Sequence, residues 1–572
     1  MRKLLVHMRA YRKECVLGPL FKLLEALFEL FVPLVIAAII DKGIDTGNQD
    51  YVIKMCLVLI ALGLTGLALS ITAQYFSAKA AVGFVKKLKH ALFAHIESLS
   101  YSEIDGIGTS TLITRMTSDM NQIQTGVNLT LRLLLRSPFV VFGAMIMAFT
   151  INVRAALIFV VTIPLLSVVV FGIMLWCIPI YKKVQQKLDQ LLALTRENIT
   201  GVRVIRAFCQ EDEEIEEFEK RNEALTTSQK FVGRISALMN PVTYVIINLA
   251  IIWLIQRGAV SVNAGILTQG AIVALYNYMS QILVELVKMA NMIITLTKSV
   301  ACGNRVQSIF EIHSSLPIVP EEKEEQDEIS LAFRNVSFRY KTAGDDSLSN
   351  LDFSVKKGET VGIIGGTGSG KTSLVNLIPR FYDVTEGDIL FNGKNVKFYP
   401  LDNLRERIGV VPQKAVLFQG TIRENMQWGK PDATDEEIMA AAEIAQAADV
   451  IEKKGGLDFV LEQGGRNLSG GQRQRFTIAR ALVGNPELLI LDDSASALDF
   501  ATDAALRKAI RNMEQTPTIF IVSQRTSSIQ HADKILVLDD GSIVGCGTHK
   551  ELLKTCSVYQ EIYSSQFKKE DA

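Results

Sequence analysis

The sequence predicts a multidomain chain: a six-helix α transmembrane domain, followed by an α/β domain that contains a phosphate-binding loop. Three observations support this prediction. Apolar residues are concentrated before about residue 300 in six stretches, each long enough to cross a bilayer. The successive gaps between those stretches are alternately poor and rich in Lys and Arg. A glycine-rich loop then lies between a strand-like run and a helix-like run.

The composition limits the kind of protein that this chain can be. Its formal net charge is +0 over 572 residues, so we expect no nucleic-acid partner. Its 7 cysteines form no C-x-x-C pair. We therefore expect reduced, mostly buried thiols in a protein that faces the cytosol.

The six apolar stretches define the predicted membrane helices. A basic, amphipathic segment of residues 1–15 precedes them and fits a helix that lies on the membrane surface. Each stretch can supply the roughly 20 residues that a helix needs to cross the hydrocarbon layer. The predicted spans lie near residues 17–40, 54–80, 131–152, 155–180, 239–258 and 269–297.

The gaps between these spans predict the orientation of the chain. The gaps after the first, third and fifth spans are short and weakly basic, whereas the other two are long, helix-like and rich in Lys and Arg. By the positive-inside bias, both long gaps and both termini are cytoplasmic. We therefore predict a multi-pass protein of the cell (cytoplasmic) membrane, embedded in the lipid bilayer, with its second domain in the cytoplasm.

Charged residues in the first and sixth spans have two possible explanations. Glu25 and Glu285 would be costly at membrane depth unless they face a wet cavity or another charge. They could line a substrate route, or the helices could project into the cytosol and leave them solvated; the sequence favours neither. For Lys288 and Asn291, solvation is the favoured explanation.

An acidic segment that contains two prolines separates the two parts of the chain. We place the transmembrane domain at 1–312, a linker at 313–328 and the second domain at 329–572. Strand-like and helix-like runs alternate after the linker. This alternation predicts an α/β domain with a largely parallel sheet.

The glycine-rich loop fits the phosphate-binding pattern G-x-x-x-x-G-K-[ST], and its strand–loop–helix setting is the one that the motif requires. Its backbone N–H groups would surround a phosphate chain, Lys371 would reach the β- and γ-phosphates, and Thr372 would ligate Mg²⁺. We therefore expect ATP and Mg²⁺ as cofactors. The loop and the residue after it are Gly365, Gly366, Thr367, Gly368, Ser369, Gly370, Lys371, Thr372 and Ser373.

Two more segments add to this site. The strand-like run 488–492 ends at Asp492, a carboxylate that would complete the Mg²⁺ site. A Ser-Gly-Gly turn at the start of a predicted helix offers a second anion site. Because one domain holds one nucleotide, two anion sites indicate that two such domains pair face to face. The residues of the second anion site are Ser469, Gly470, Gly471 and Gln472.

With these motifs the chain resembles the ATP-binding cassette (ABC) exporters, specifically half-transporters with one membrane domain and one nucleotide-binding domain. The resemblance covers nearly the whole chain. It implies that Tyr340 stacks on adenine, that Gln413 contacts Mg²⁺ and senses the membrane domain, and that Asp499 crosses the dimer interface. It also implies that the long cytoplasmic gaps hold coupling helices that rest on the cassettes.

Two positions depart from the family pattern. The family usually has a glutamate after the Mg²⁺ aspartate, whereas this chain has Asp493, which is one methylene shorter. The family usually has a histidine in the following switch loop, where this chain has Gln524. A base must come within about 2.6–3.2 Å of the water that it orients, and a misplacement of about 1 Å can cost about a hundredfold in rate. Fast hydrolysis at this site is therefore not expected.

These departures lead to a hypothesis about the assembly. The chain would be one half of a heterodimeric exporter of small amphiphilic molecules (drugs or lipids), and its partner would carry the intact glutamate and histidine. The alternatives are a homodimeric exporter and a regulatory membrane subunit that binds ATP without moving cargo. An importer is disfavoured, because importers of this class usually carry their membrane and cassette domains on separate chains. The six spans exclude a soluble cassette protein.

Overall fold

The computed structural model describes residues 2–316, 328–341, 343–513 and 515–566. The chain divides into two compact units, one of Met1–Glu97 with Ser110–Ile312 and the other of Ser98–Thr109 with His313–Ala572. Most of the predicted linker, residues 317–327, lies outside the described residues. Its boundaries therefore stay a prediction.

The first unit is helical, and the prediction of six membrane helices is confirmed. Six helices in the described part of the chain are long and apolar enough to cross a membrane: Lys3–Ile44, Gln49–Glu97, Thr109–Ile151, Val153–Ala207, Glu211–Asn263 and Gln269–Phe310. The longer of these continue through both long gaps of the sequence, as expected.

Short irregular turns subdivide these spans. A 3₁₀ segment, Arg2–Tyr11, precedes the first α-helix, and π-turns occur at Ile40–Ile44 and Arg115–Asp119. The α-helices outside the cassette are α1 (Arg12–Ile39), α2 (Gln49–Glu97), α3 (Tyr101–Ile107), α4 (Thr109–Thr114), α5 (Met120–Leu133), α6 (Arg136–Ile151), α7 (Val153–Ala207), α8 (Glu211–Ala237), α9 (Met239–Asn263) and α10 (Gln269–Phe310).

Small residues let these helices approach closely. A Cβ atom on Gly143 of α6 would lie 2.5 Å from Leu30 Cδ1 of α1. A Cβ atom on Gly270 of α10 would lie 2.3 Å from the backbone oxygen of Ala37. Membrane helices associate largely through such close packing, since lipid provides little hydrophobic drive. The packed interior therefore depends on glycine at these helix crossings.

The charges of the first and sixth spans are paired with other charges. Arg136 donates to Glu285 at 2.7 Å and to Glu29 at 2.6 Å, and Lys288 donates to Glu285 at 2.9 Å. Glu25 accepts a hydrogen bond from Lys22 at 2.5 Å. Glu29, Glu285 and Lys288 also line a cavity of about 370 Å³. Glu25 and Glu285 are therefore each paired with a neighbouring cation.

The expectation of simple solvation has a mixed outcome. Lys288 is exposed, as expected, but its ammonium also donates to the buried carboxylate of Glu285. Asn291 is exposed, as expected. The expectation of mostly buried cysteines is wrong. All seven are free, but only Cys177, Cys302 and Cys556 are buried.

The described residues of the second unit form two main sheets and a small two-stranded antiparallel sheet of strands that are distant in sequence. The larger sheet has six strands in the order β12-β11-β3-β10-β9-β6, and every neighbouring pair is parallel except β11 with β12. The smaller sheet is antiparallel, in the order β2-β1-β4-β5. The α/β prediction is confirmed; the separate antiparallel sheet was not predicted.

The strands are β1 (Ile329–Phe338), β2 (Leu348–Lys356), β3 (Thr360–Gly365), β4 (Glu386–Phe391), β5 (Lys394–Asn395), β6 (Ile408–Val411), β7 (Gly420–Thr421), β8 (Val460–Leu461), β9 (Leu488–Asp492), β10 (Thr518–Val522), β11 (Lys534–Asp539) and β12 (Ser542–Gly547). The helices are α11 (Lys371–Leu377), α12 (Leu401–Glu406), α13 (Ile422–Met426), α14 (Asp435–Ile444), α15 (Ala448–Lys454), α16 (Gly470–Val483), α17 (Phe500–Arg511), α18 (Thr526–Ile529), α19 (His549–Thr555) and α20 (Ser557–Gln566).

The short helix α3 belongs to this second unit although it lies early in the sequence. Tyr382 donates a hydrogen bond to Asp105 at 2.6 Å, and the ring centroids of Tyr101 and Phe381 are 4.7 Å apart. The buried Glu103 binds Lys341 at 2.5 Å. Burial alone would raise the pKa of Glu103, but hydrogen bonds, chiefly from Lys341, Ser100 and Ser315, lower it to about 2.

Candidate nucleotide site

The parallel sheet explains why distant residues form one site. The carboxyl ends of β3, β9, β10 and β6 meet at one edge, because Ile363 pairs with Val522, Val522 with Asp492, and Leu491 with Val411. Ligands of open α/β sheets bind at this edge. The phosphate-binding loop follows β3, Asp492 ends β9, and the switch loop follows β10.

The phosphate-binding loop wraps around the ammonium group of its own lysine. Lys371 donates to the backbone oxygens of Gly365 at 3.0 Å and Gly366 at 2.5 Å, and to Ser369 at 3.3 Å. Gly368 has a φ of +85°, and a Cβ atom there would meet no atom within 4 Å. The loop is therefore an open cradle of backbone, which fits a phosphate chain.

A hydroxyl and a carboxylate lie side by side next to this cradle. Thr372 Oγ1 donates to Asp492 Oδ1 at 3.3 Å. Burial raises the pKa of Asp492, the nearby Asp493 adds to that rise, and Thr372 and Lys371 oppose it. Burial has the opposite effect on the Lys371 ammonium, whose pKa it lowers, because it disfavours the charged form of either group. These hard oxygen ligands suit Mg²⁺, which would relieve the desolvated carboxylate.

One cavity of about 610 Å³ collects most of the residues that sequence reasoning selected. Among the predicted site residues, its lining includes Tyr340, Thr367, Gly368, Gly370, Lys371, Thr372, Ser373, Gln413, Asp492, Asp493 and Gln524. Gly365, Gly366 and Ser369 form the part of the loop that holds Lys371. The hydroxyl of Tyr340 lies 2.9 Å from Ser373 Oγ, which places the ring near the N-terminal end of α11.

Asp493, the shortened carboxylate, has a firmly held backbone. Its φ is +46°, a left-handed conformation that is uncommon for a residue other than glycine. Its N–H donates to the oxygen of Val522 in β10 at 2.9 Å, and its own oxygen accepts from Ser496 Oγ at 2.8 Å. The backbone therefore has little freedom to bring the carboxylate forward.

The switch loop is tied to the last described helix. Gln566 of α20 donates to the backbone oxygen of Gln524 at 2.6 Å. Its side-chain oxygen accepts from Thr526 N at 2.9 Å and from Thr526 Oγ1 at 3.0 Å. Sequence reasoning missed Gln566, because a lone glutamine near the end of a polar helix carries no local signal.

The second anion site does not line this cavity within the described residues. Ser469 caps α16 through a reciprocal pair of bonds: its side chain accepts from Gln472 N, and Gln472 Oε1 accepts from Ser469 N at 3.0 Å. Gly470 and Gly471 form the first turn of that helix. Asp499 caps α17, accepting from Thr502 N at 2.8 Å.

A hairpin that the sequence reasoning overlooked also lines the cavity. Asp540 and Gly541 join β11 to β12, and both have positive φ. An Asp-Gly pair between two apolar runs is a recognised signal for such a turn. The acidic pair Asp345 and Asp346 lines the cavity as well, and Asp346 binds Arg339 at 2.8 Å.

Comparison with known proteins agrees with this geometry. Residues 15–286 match the family model described as ABC transporter transmembrane region, and residues 348–496 match the one described as ABC transporter. The chain is 36% identical to the uncharacterized ABC transporter ATP-binding protein YfiB of Bacillus subtilis (strain 168), covering 100% of this chain and 99% of YfiB. This chain belongs to the ABC transporters.

One more relative and one solved structure indicate the kind of ABC transporter. The chain is 34% identical to the ATP-dependent lipid A-core flippase of Desulfotalea psychrophila (strain LSv54 / DSM 12343), and the match covers 94% of this chain and 97% of the flippase. The structure of a bacterial Atm1-family ABC exporter with ATP bound matches with a TM-score of 0.82 and 25% identity. That match covers 97% of this chain and 99% of the exporter chain.

The ABC transporter described here is therefore a multi-pass membrane protein with the exporter fold. Its ATPase domain implies that it binds and hydrolyses ATP, with Mg²⁺ as the usual partner ion. The cradle of Lys371 and the oxygen pair of Thr372 and Asp492 fit those two ligands.

Proposed function

We propose that this chain is one half of a heterodimeric exporter that moves amphiphilic small molecules, drugs or lipids, across the cell membrane. Its own ATP site binds nucleotide and turns over slowly, while a partner half-transporter with an intact glutamate and histidine supplies the faster site. The cassette and both termini lie in the cytoplasm. The relative named as a lipid A-core flippase supports a lipid-like or amphiphilic cargo.

One observation carries the proposal: the cavity holds nucleotide-binding groups but lacks the usual hydrolytic ones. Lys371 and the loop backbone would hold the phosphates, Tyr340 would stack on the adenine, and Thr372, Gln413 and Asp492 would ligate Mg²⁺. At the two positions that govern hydrolysis, the same cavity presents Asp493 and Gln524. Glutamine can donate a hydrogen bond but brings no positive charge to the phosphoryl oxygens.

The second anion site supports a shared arrangement. Ser469, Gly470, Gly471 and Gln472 retain the full family motif and lie outside this chain's own cavity. We propose that they serve the ATP bound to the partner subunit, with Asp499 crossing the interface. The productive site would then combine the partner's phosphate-binding loop with this chain's intact turn.

The test compares the chain alone with the chain paired with a half-transporter that carries glutamate and histidine. Reconstituted alone, the protein should show little ATPase activity and no vectorial transport of a fluorescent dye or lipid. Co-reconstitution should restore both. Robust transport by the chain alone, abolished by Lys371→Ala, would identify a homodimeric exporter instead. ATPase activity without vectorial movement in the paired sample would identify a regulatory subunit.

A further inference from the structure

A second cavity lies between the start of α7 and the last turns of α9, and its lining residues are distant in sequence from those of the nucleotide site. It measures about 530 Å³. Arg154, Arg257 and Trp253 line it, together with Asn152 and Ser261. No Asp or Glu is among the described residues that line it, and neither arginine forms an ion pair within the described residues. The cavity therefore has a positive charge that the protein leaves unbalanced.

Polar and apolar groups are arranged in order along both helices. Arg154 lies in the first turn of α7, and Leu157 and Val161 continue the same face toward the middle of the span. On α9, Trp253 lies one turn deeper than Arg257 on a shared face. Leu157, Val161 and Trp253 are exposed. Each helix thus presents a cation near its end and apolar surface below it.

The position along the spans matches the edge of a bilayer. The cavity lies where spans three and four and spans five and six are joined, on the opposite side of the membrane from the end of α10. Tryptophan is enriched at the level of lipid headgroups, where its ring is apolar and its N–H is wet. Arginine matches phosphate with paired donors better than lysine does.

We propose that this cavity binds an anionic phospholipid, with the headgroup phosphate on Arg154 and Arg257 and an acyl chain along Leu157 and Val161. The charge selects the class of lipid: two cations without a carboxylate favour a headgroup with net negative charge over a zwitterionic one. The apolar wall selects a lipid over a free phosphate. The cavity shares no lining residue with the nucleotide cavity, so the lipid proposal does not depend on the heterodimer proposal.

The test uses the protein's own tryptophan as the probe. Of the 3 tryptophans, Trp176 and Trp428 are changed to Phe in the full chain, which leaves Trp253 as the sole emitter. This protein is reconstituted into vesicles that contain either brominated phosphatidylglycerol or brominated phosphatidylcholine with the same chains. Quenching of Trp253 at rising lipid fractions then gives the relative affinity of the cavity for the two headgroups.

We expect a preference of about thirtyfold for phosphatidylglycerol, since each of the two arginines adds about 1 kcal/mol of attraction to anionic lipid near a surface. Arg154→Gln with Arg257→Gln should reduce this preference to about one. Lys54→Gln removes an exposed cation near the start of α2, outside the cavity, and should leave the preference unchanged. Equal quenching by both lipids in the parent protein would overturn the proposal.

Two further measurements complete the test. Inorganic phosphate should not displace brominated phosphatidylglycerol; displacement at millimolar phosphate would indicate a free-anion site and overturn the assignment to lipid. If the double arginine variant does not purify as a folded protein, the salt dependence in the parent decides. Loss of the preference in about 1 M NaCl would support the charge contact, and a preference that survives this salt would contradict it.

Discussion

Gln413 Nε2 lies 3.4 Å from Asp493 Oδ2, so two residues from different strand ends face each other across the nucleotide cavity. The contact is long for a hydrogen bond. Both residues are backed by the sheet, since β6 and β9 are parallel neighbours. A carboxylate one methylene longer would extend farther from β9 into the cavity.

This relationship gives the first prediction. Asp493→Glu combined with Gln524→His should raise the ATPase rate of the chain's own site about tenfold or more. The backbone of Asp493 is fixed by Val522 and Ser496, so only a longer side chain can correct the position of the carboxylate. Phosphate release by the reconstituted chain measures the effect. Asp493→Asn, which keeps the short side chain and removes the charge, is the matched control and should not raise the rate.

The expected gain also depends on the charge restored at the switch loop. If neither the single changes nor the pair alters the rate while ATP still binds, the limitation lies elsewhere in the cycle. That outcome would contradict the degenerate-site proposal.

The second prediction concerns the tie between α20 and the switch loop. Gln566→Ala removes three hydrogen bonds to Gln524 and Thr526 at once. Because these bonds hold backbone that leads into the cavity, we expect a two- to tenfold loss in maximal ATPase rate with little change in ATP affinity. The measurement is the separation of kcat from KM in the Asp493→Glu, Gln524→His protein reconstituted alone, where this chain's own site sets the rate, with Gln560→Ala on the same helix as control.

A purely structural role for Gln566 would produce a different result. Loss of thermal stability with an unchanged kcat would contradict a positioning role. Gln566→Glu keeps the acceptor for Thr526 but loses the donor to the oxygen of Gln524. It should therefore retain only part of the activity.

These results show which parts of the site can be predicted from sequence. The phosphate-binding loop and Asp492 can be selected from the sequence alone, because each belongs to a contiguous motif: a strand–loop–helix run for the loop and an apolar strand for Asp492. Gln566 binds a residue 40 positions away, and Arg136 binds one 149 positions away. Such contacts depend on how elements pack, and no local pattern of residues encodes them.

The early helix α3 illustrates the same limit. The family resemblance implied that the long gaps rest on cassettes, but the residues that make the contact could not be chosen. Its anchor, Glu103, is an ordinary acidic residue in sequence. It is buried against Lys341, next to the aromatic Tyr340 that lines the nucleotide cavity.

The third prediction follows from the low pKa of Glu103. Its folded-state pKa, about 2, lies below the usual carboxyl value, so the contact with Lys341 stabilises the docked helix above about pH 4.5. That stabilisation is lost as the pH falls from about 4.5 toward 2. Hydrogen exchange of residues 98–109 should therefore show constant relative protection from pH 8 to pH 5, after correction for the intrinsic rate.

Variants separate the charge from the fold. Glu103→Gln should lower the protection of this segment at neutral pH, and Lys341→Met should do the same by leaving the carboxylate without its cation. Thr109→Ala, at an exposed position at the end of the segment, should change nothing. If Glu103→Gln protected the segment as well as glutamate does, the ion pair would not hold α3.

The last prediction concerns the buried charges between α1, α6 and α10. Arg136→Met removes the cation shared by Glu285 and Glu29 and leaves a carboxylate that is 3% exposed without its main partner. Breaking such a buried pair from one side typically costs about 3–5 kcal/mol. Thermal unfolding in detergent should therefore show a large loss of stability, and Glu285→Gln added to Arg136→Met should recover part of it. Lys288→Met removes only a half-exposed partner and should cost much less. Equal stability of Arg136→Met and the parent would mean that Glu285 is solvated or protonated, which would return these charges to the solvated explanation.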